Sequence, residues 1–130
     1  MIVKNLTRVA KIALCKCPKT HNTYGVRFEK HGTKWKYDWA FKVSEQAAAR
    51  EHYDKTRLQG EIVPGDDYPG CPDCHTKYFV ICDCGHLNCH YLQGDKFKCE
   101  WCGIEGVVDG IYKGEGISSG GDICVYLSIE

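Results

Sequence analysis

At 130 residues the chain has room for one domain, or for a small domain joined to a metal-stapled unit. Its 17 Lys/Arg balance 17 Asp/Glu, so net charge selects neither a nucleic acid nor an anionic membrane, and no apolar run reaches the length of a membrane-spanning helix. It has ten cysteines and no convincing export signal, since Lys11 interrupts the apolar stretch Val9 to Leu14 and no small-residue cleavage site follows; this points to metal ligation in a reducing, cytoplasmic setting rather than to disulfides.

Charge is unevenly spread. Residues 1–42 carry ten Lys/Arg and two Asp/Glu, and the remainder is acidic. Two solvated or mutually attracting halves account for this as well as a basic docking face does.

Residues 8–42 read as a three-stranded antiparallel meander. Val9, Lys11, Ala13 and Cys15 alternate with Ala10, Ile12 and Leu14, and Cys15-Lys16-Cys17-Pro18 ends the first strand because proline cannot donate to a ladder. Tyr24, Val26 and Phe28 share one face of the second. Trp35, Tyr37, Trp39 and Phe41 follow at period two in the third. That aromatic stripe is expected to face the core; interleaved with lysines, it could otherwise be a stacking platform for single-stranded nucleic acid. Ser44 is a good N-cap, and Glu45 to Tyr53 predict a short helix to cover the stripe. Glu61 to Val63 suit a short strand. The turn-rich Pro64-Gly65-Asp66-Asp67-Tyr68-Pro69-Gly70 divides residues 1–63 from a metal module at 64–130.

The module begins at Cys71-Pro-Asp-Cys74, and Cys99-Glu-Trp-Cys102-Gly103 lies 24 residues beyond it. Two C-x-x-C knuckles close a tetrahedral zinc shell, so Cys71, Cys74, Cys99 and Cys102 are expected to form a structural site. If Thr76 to Ile81 leaves the first knuckle as a strand, Cys82 lies roughly 25 Å away at about 3.3 Å per residue. Cys82, Cys84 and Cys89 would then share the hairpin tip and hold a second ion. Its fourth ligand could be His86, His90, Cys15 or Cys17. After Cys102, Gly106 to Lys113 and Asp122 to Ile129 predict a closing hairpin across a flexible Gly114 to Gly121 loop, with Cys124 a buried core thiol.

Several runs together resemble the TerY-C metal-binding domain of bacterial Ter (tellurium-resistance) stress-response proteins. They are Ser44 to Tyr53, Asp54-Lys55-Thr56, Tyr68-Pro69-Gly70-Cys71-Pro72-Asp73-Cys74, Cys82-Asp-Cys84-Gly85 and Cys99-Glu-Trp101-Cys102-Gly103. The family pattern often has glycine where this chain has His75. In that family the domain usually follows a von Willebrand A-type domain, so this chain, starting at Met1, is expected to be a stand-alone relative or an excised module. The resemblance implies stress signalling with kinase, phosphatase or A-domain partners.

The expected fold class is α+β and mostly antiparallel: a meander with one helix, then a zinc ribbon with a C-terminal hairpin. No nucleophile elbow, kinase set or dinucleotide fingerprint appears, and His86 and His90 lack the glutamate and helical C-x-x-C of a zinc deaminase, so no enzyme is expected. The expected function is a zinc-binding protein-interaction module. The alternative is a nucleic-acid-binding zinc ribbon that uses the basic first third. Against it, residues 71–103 carry three Lys/Arg and four Asp/Glu.

Overall fold

The uninterrupted apolar run from Ile12 to Cys15 suits a strand buried on both faces, and all four residues are buried. They lie in β1 (Asn5–Lys16), the centre of a mixed sheet. The computed structural model describes residues 5–44, 46, 56–90, 94, 96–108 and 116–128, without the side chains of 5–9, 56–57 and 118–128.

One edge of β1 carries β2 (Thr23–His31), antiparallel, and β2 carries β3 (Lys34–Lys42), also antiparallel. The other edge of β1 is shared. β10 (Ile117–Ser128) runs antiparallel along its first part, from Asn5↔Ser128 to Ile12↔Gly120. β7 (Leu87–Cys89) then joins in parallel at Cys15↔Leu87 and Lys16↔Asn88. At the sheet margins β4 (Thr56–Leu58) pairs with β10 and β5 (Glu61–Pro64) pairs in parallel with β3. β6 (Phe79–Ile81) makes a hairpin with β7. β8 (Lys96–Lys98) and β9 (Glu105–Val107) form a separate two-stranded ribbon. Among the described residues no helix is long and apolar enough to cross a membrane.

This overturns the expected α+β class. The described residues build a nearly all-β, curled mixed sheet, and the separate antiparallel meander with its covering helix is not seen, because β5 and β7 add parallel strands to it. The stretch expected to be that helix, Glu45 to Tyr53, lies outside the described residues except for Gln46. Among the described residues the aromatic face is covered by Tyr68 of the connector and Phe79 of β6. Both rings meet Tyr37 edge-on at 5.0 Å, and Phe79 also meets Phe28.

The aromatic stripe itself is broken. Arg27 pairs with Trp39 and Phe28 with Tyr37, which leaves Asp38 as the extra residue of a bulge. The bulge reverses the alternation. Trp35 and Tyr37 stay with the core, Ala40 turns in, and Trp39 is 54% exposed. Asp38 uses its displaced position to accept from the Arg27 guanidinium at 3.0 Å.

The closing hairpin is also corrected. Residues 105–107 pair with β8, and the glycine- and serine-rich run 118–121, expected to be a loop, is strand. Its register against β1 shifts between Ala10 and Ile12, with Gly120 opposite Ile12, and glycine tolerates such a bend inside a strand. The Cys124 backbone pairs with Val9; its side chain is outside the described set.

Phe28 is fully buried at the centre of these contacts, so Phe28→Ala should lower unfolding stability by about 3–5 kcal/mol. Trp39→Ala, at a position period two would have placed in the core, should change it by less than about 0.5 kcal/mol. Chemical denaturation checks both, and equal losses would contradict the bulge.

Candidate metal centres

The cysteines sit in knuckles that share one backbone scheme. Cys71 N–H donates to the Thr76 carbonyl at 2.8 Å, and His75 N–H returns to the Cys71 carbonyl at 2.9 Å. Cys99 N–H to Ile104 O and Gly103 N–H to Cys99 O repeat this, both at 2.9 Å. Cys17 N–H to Asn22 O and His21 N–H to Cys17 O repeat it again. The residue that ends each turn is left-handed: His75 at φ 65°, Gly103 at 78° and His21 at 62°. A tighter version spans Cys82 to His86, with Gly85 at φ 89°. Histidine therefore occupies at positions 21 and 75 a conformation for which glycine is the usual choice.

These turns, with Cys89 of β7, deliver two groups of four sulfurs, each with all its Sγ atoms within 4.8 Å of one another. The first is Cys17, Cys71, Cys74 and Cys89. The second is Cys82, Cys84, Cys99 and Cys102. The Cys74–Cys89 and Cys82–Cys102 separations are 3.6 Å, and Cys84–Cys99 is 3.7 Å. Four thiolates bound tetrahedrally at about 2.3 Å lie roughly 3.8 Å apart, so both groups are positioned to hold a metal ion.

The sequence-predicted residues are redistributed. The two C-x-x-C knuckles do not share a site: Cys71 and Cys74 join Cys17 and Cys89, while Cys99 and Cys102 join Cys82 and Cys84. The cause is the position of the hairpin turn. The chain reverses within Cys82 to His86, and Leu87–Cys89 is already the returning strand, with Cys89 opposite Phe79 at the hairpin base. Cys82 and Cys84 remain at the tip. Neither histidine belongs to a tetrad. The His86 ring stacks on Trp101 at 4.4 Å, with Nδ1 3.7 Å from Cys84 Sγ, and His90 Nε2 contacts the Gly94 carbonyl at 2.8 Å. Cys15 is buried beside the first group but outside it.

Sequence spacing left Cys17 as one of four alternatives. Cys17-Pro-Lys-Thr20-His21 nonetheless mirrors Cys71-Pro-Asp-Cys74-His75 at the cysteine, the proline and the histidine, with Thr20 in place of the second cysteine. The Thr20 hydroxyl donates to Asp73 at 2.8 Å and so links the two turns, helped by the Asn22 amide at 3.1 Å. These bonds, the Thr20 hydroxyl foremost, hold the Asp73 carboxyl below its ordinary range.

Asn88 serves the second group. It is buried on β7, its amide donates to Cys99 Sγ at 3.3 Å, and its carbonyl accepts from Glu100 N–H at 2.8 Å. Trp101 N–H donates to the Leu87 carbonyl at 2.8 Å, and the Lys16 ammonium lies over the indole at 4.3 Å. Burial opposes ionisation at Cys99, but the Cys102 backbone N–H and the Asn88 amide outweigh it and lower the thiol to about 7. Burial also opposes ionisation at Cys17, where bonds from Thr20 prevail and the thiol falls to about 7. Their neighbours move the other way, burial first: Cys71 is pushed up to about 11, Cys84 to about 12, and Cys89 higher still. Four sulfurs this close cannot all ionise without a cation among them.

The described residues define a nearly all-β module with two four-cysteine groups positioned to hold metal ions. No family model, curated protein or solved structure matches the chain.

Cys17→Ser should leave one bound metal ion per chain, whereas Cys15→Ala should keep two; native mass spectrometry reads both. Asn88→Leu should weaken metal retention at the second group alone by about 1–3 kcal/mol, seen in chelator competition, because Cys99 and the Glu100 amide lose their partner.

Proposed function

We propose that the chain is a zinc-stabilised protein-interaction module. The pair of four-sulfur tetrads carries this reading. Thiolate sets of this geometry favour zinc or iron over harder ions. A closed four-cysteine shell has no position for water or substrate, which supports a structural role over a catalytic one.

Exposed apolar side chains support a protein partner. Ile104, just before β9, and Val107 at its end are 56% and 58% exposed, and Tyr78 before β6 is 75% exposed. Trp101, the aromatic of the second knuckle, is occupied by His86 and Lys16 and makes a poor platform for a nucleobase. The order of the knuckles, which resembles the TerY-C domain, supports a place in a Ter-type stress response beside A-type-domain proteins.

Native mass spectrometry of freshly purified protein, with elemental analysis, should find two zinc ions per chain. A strong chelator should remove them together with the folded near-ultraviolet spectrum. Iron would colour the protein, and no metal at all would remove the reading. Nucleic-acid affinity should be weak at moderate salt; tight binding that falls steeply with salt would favour a nucleic-acid partner instead.

A further inference from the structure

The two tetrads differ in how they are built into the fold. In the first, Cys17, Cys71 and Cys89 are buried, and they belong to the same packed cluster as Val26, Phe28, Tyr68 and Leu87. Cys74 is half-buried and packs against that cluster. In the second, Cys102 is exposed and Cys84 half-buried, and none of the four belongs to the cluster. The β8–β9 ribbon that flanks the knuckle of Cys99 and Cys102 is not part of the eight-stranded sheet.

We infer that the second tetrad is an oxidant-responsive site, at which a hydroperoxide converts Cys102 and Cys82 to a disulfide and expels the metal ion. This rests on the metal-binding reading above. Cys102 is the one exposed residue of the eight cysteines, so it is the one a small peroxide can approach without opening the fold. Its thiolate attacks the O–O bond: an S–O bond forms, the O–O bond breaks, and hydroxide leaves to become water. Cys82 Sγ, 3.6 Å away, then attacks the sulfenic sulfur. The S–S bond forms, the S–O bond breaks, and a second hydroxide leaves. Two thiolates, one hydrogen peroxide and two protons give one disulfide and two waters, the sulfurs losing the two electrons that the peroxide gains. The ion keeps only Cys84 and Cys99 and dissociates. A dithiol reductant reverses the step by exchange, taking the disulfide onto itself.

The consequence is local. The knuckle between Cys99 and Cys102 loses its ion, while the first tetrad keeps its own and β1, β2 and β3 stay paired. Ile104 and Val107, the exposed apolar residues proposed to meet a partner, lie on the part that is released. Oxidation would therefore change the binding surface without unfolding the sheet.

The test uses the full chain loaded with zinc. Hydrogen peroxide is added in rising stoichiometry, released zinc is followed with a chromophoric chelator, and disulfides are mapped by alkylation and mass spectrometry. The expected result is loss of one zinc of two in a distinct fast phase, a first disulfide at Cys82–Cys102, and an unchanged far-ultraviolet spectrum until the second zinc leaves. Cys102→His keeps a zinc ligand but removes the oxidisable sulfur, and should abolish the fast phase. Loss of both ions together, or a first disulfide at Cys74–Cys89, would overturn the inference and leave the two-zinc reading standing. A chain that carries no zinc before peroxide is added overturns both. The mapping on the unaltered chain decides the matter even if the histidine variant binds one ion only.

Discussion

The structure depends on a two-residue parallel pairing, Cys15 with Leu87 and Lys16 with Asn88. It occurs where β10 has left that edge of β1, so β7 takes over an unpaired ladder. Parallel register carries the next residues, Cys17 and Cys89, side by side, and the Cys71–Cys74 knuckle completes their tetrad. Residues far apart in sequence must be brought together for this, and closing so long a loop costs entropy before any contact is gained. A pairing so short cannot offset that by itself. The structural zinc ion proposed above would, since such an ion contributes on the order of 10 kcal/mol to folding. On that proposal strand register and metal binding are one event.

The same three residues of β7 separate the two metal sites. Successive side chains of a strand point to opposite faces. Leu87 and Cys89 serve the core and the first tetrad, and Asn88 between them faces the second, where its amide reaches Cys99. A buried asparagine is tolerated here because both ends of its amide group have partners. The knuckle it supports is further tied down by the Trp101 indole on the Leu87 carbonyl.

Metal chemistry was legible from cysteine spacing, but the division of the ligands was not. C-x-x-C fixes two sulfurs locally and is silent on which pair completes the shell. That depends on where the intervening hairpin turns, and Cys82 to His90 offers glycine, histidine and asparagine at several positions that could reverse the chain. The alternation of β2 was readable because its apolar residues repeat over enough length. β6 and β7 have three residues each, too few for a period to show. The bulge at Asp38 was invisible because it depends on the partner strand, and with it went the expectation that Trp39 faces inward. Glycines at 120 and 121 spoke for a loop, whereas in context they let β10 bend along β1. The mirror between Cys17 to His21 and Cys71 to His75 was the one signal for the first tetrad that lay open in the sequence.

The two tetrads also answer different deficits. The first lies at the end of a hydrophobic core that reaches from Val26 and Phe28 through Tyr68 to Leu87, so an ion there would add to burial that already exists. The second holds a ribbon with little to bury. In β8 only Phe97 is half-buried between exposed lysines, and in β9 Val107 faces solvent. Isolated two-stranded ribbons are marginal in water, because they cannot remove enough apolar surface to offset the loss of chain entropy. Four sulfurs positioned to hold an ion, one buried amide and one indole hydrogen bond stand in for the missing core. On the proposed reading, a unit held mainly by its ion would leave its outer face open for contact, and its attachment would fail when that ion left.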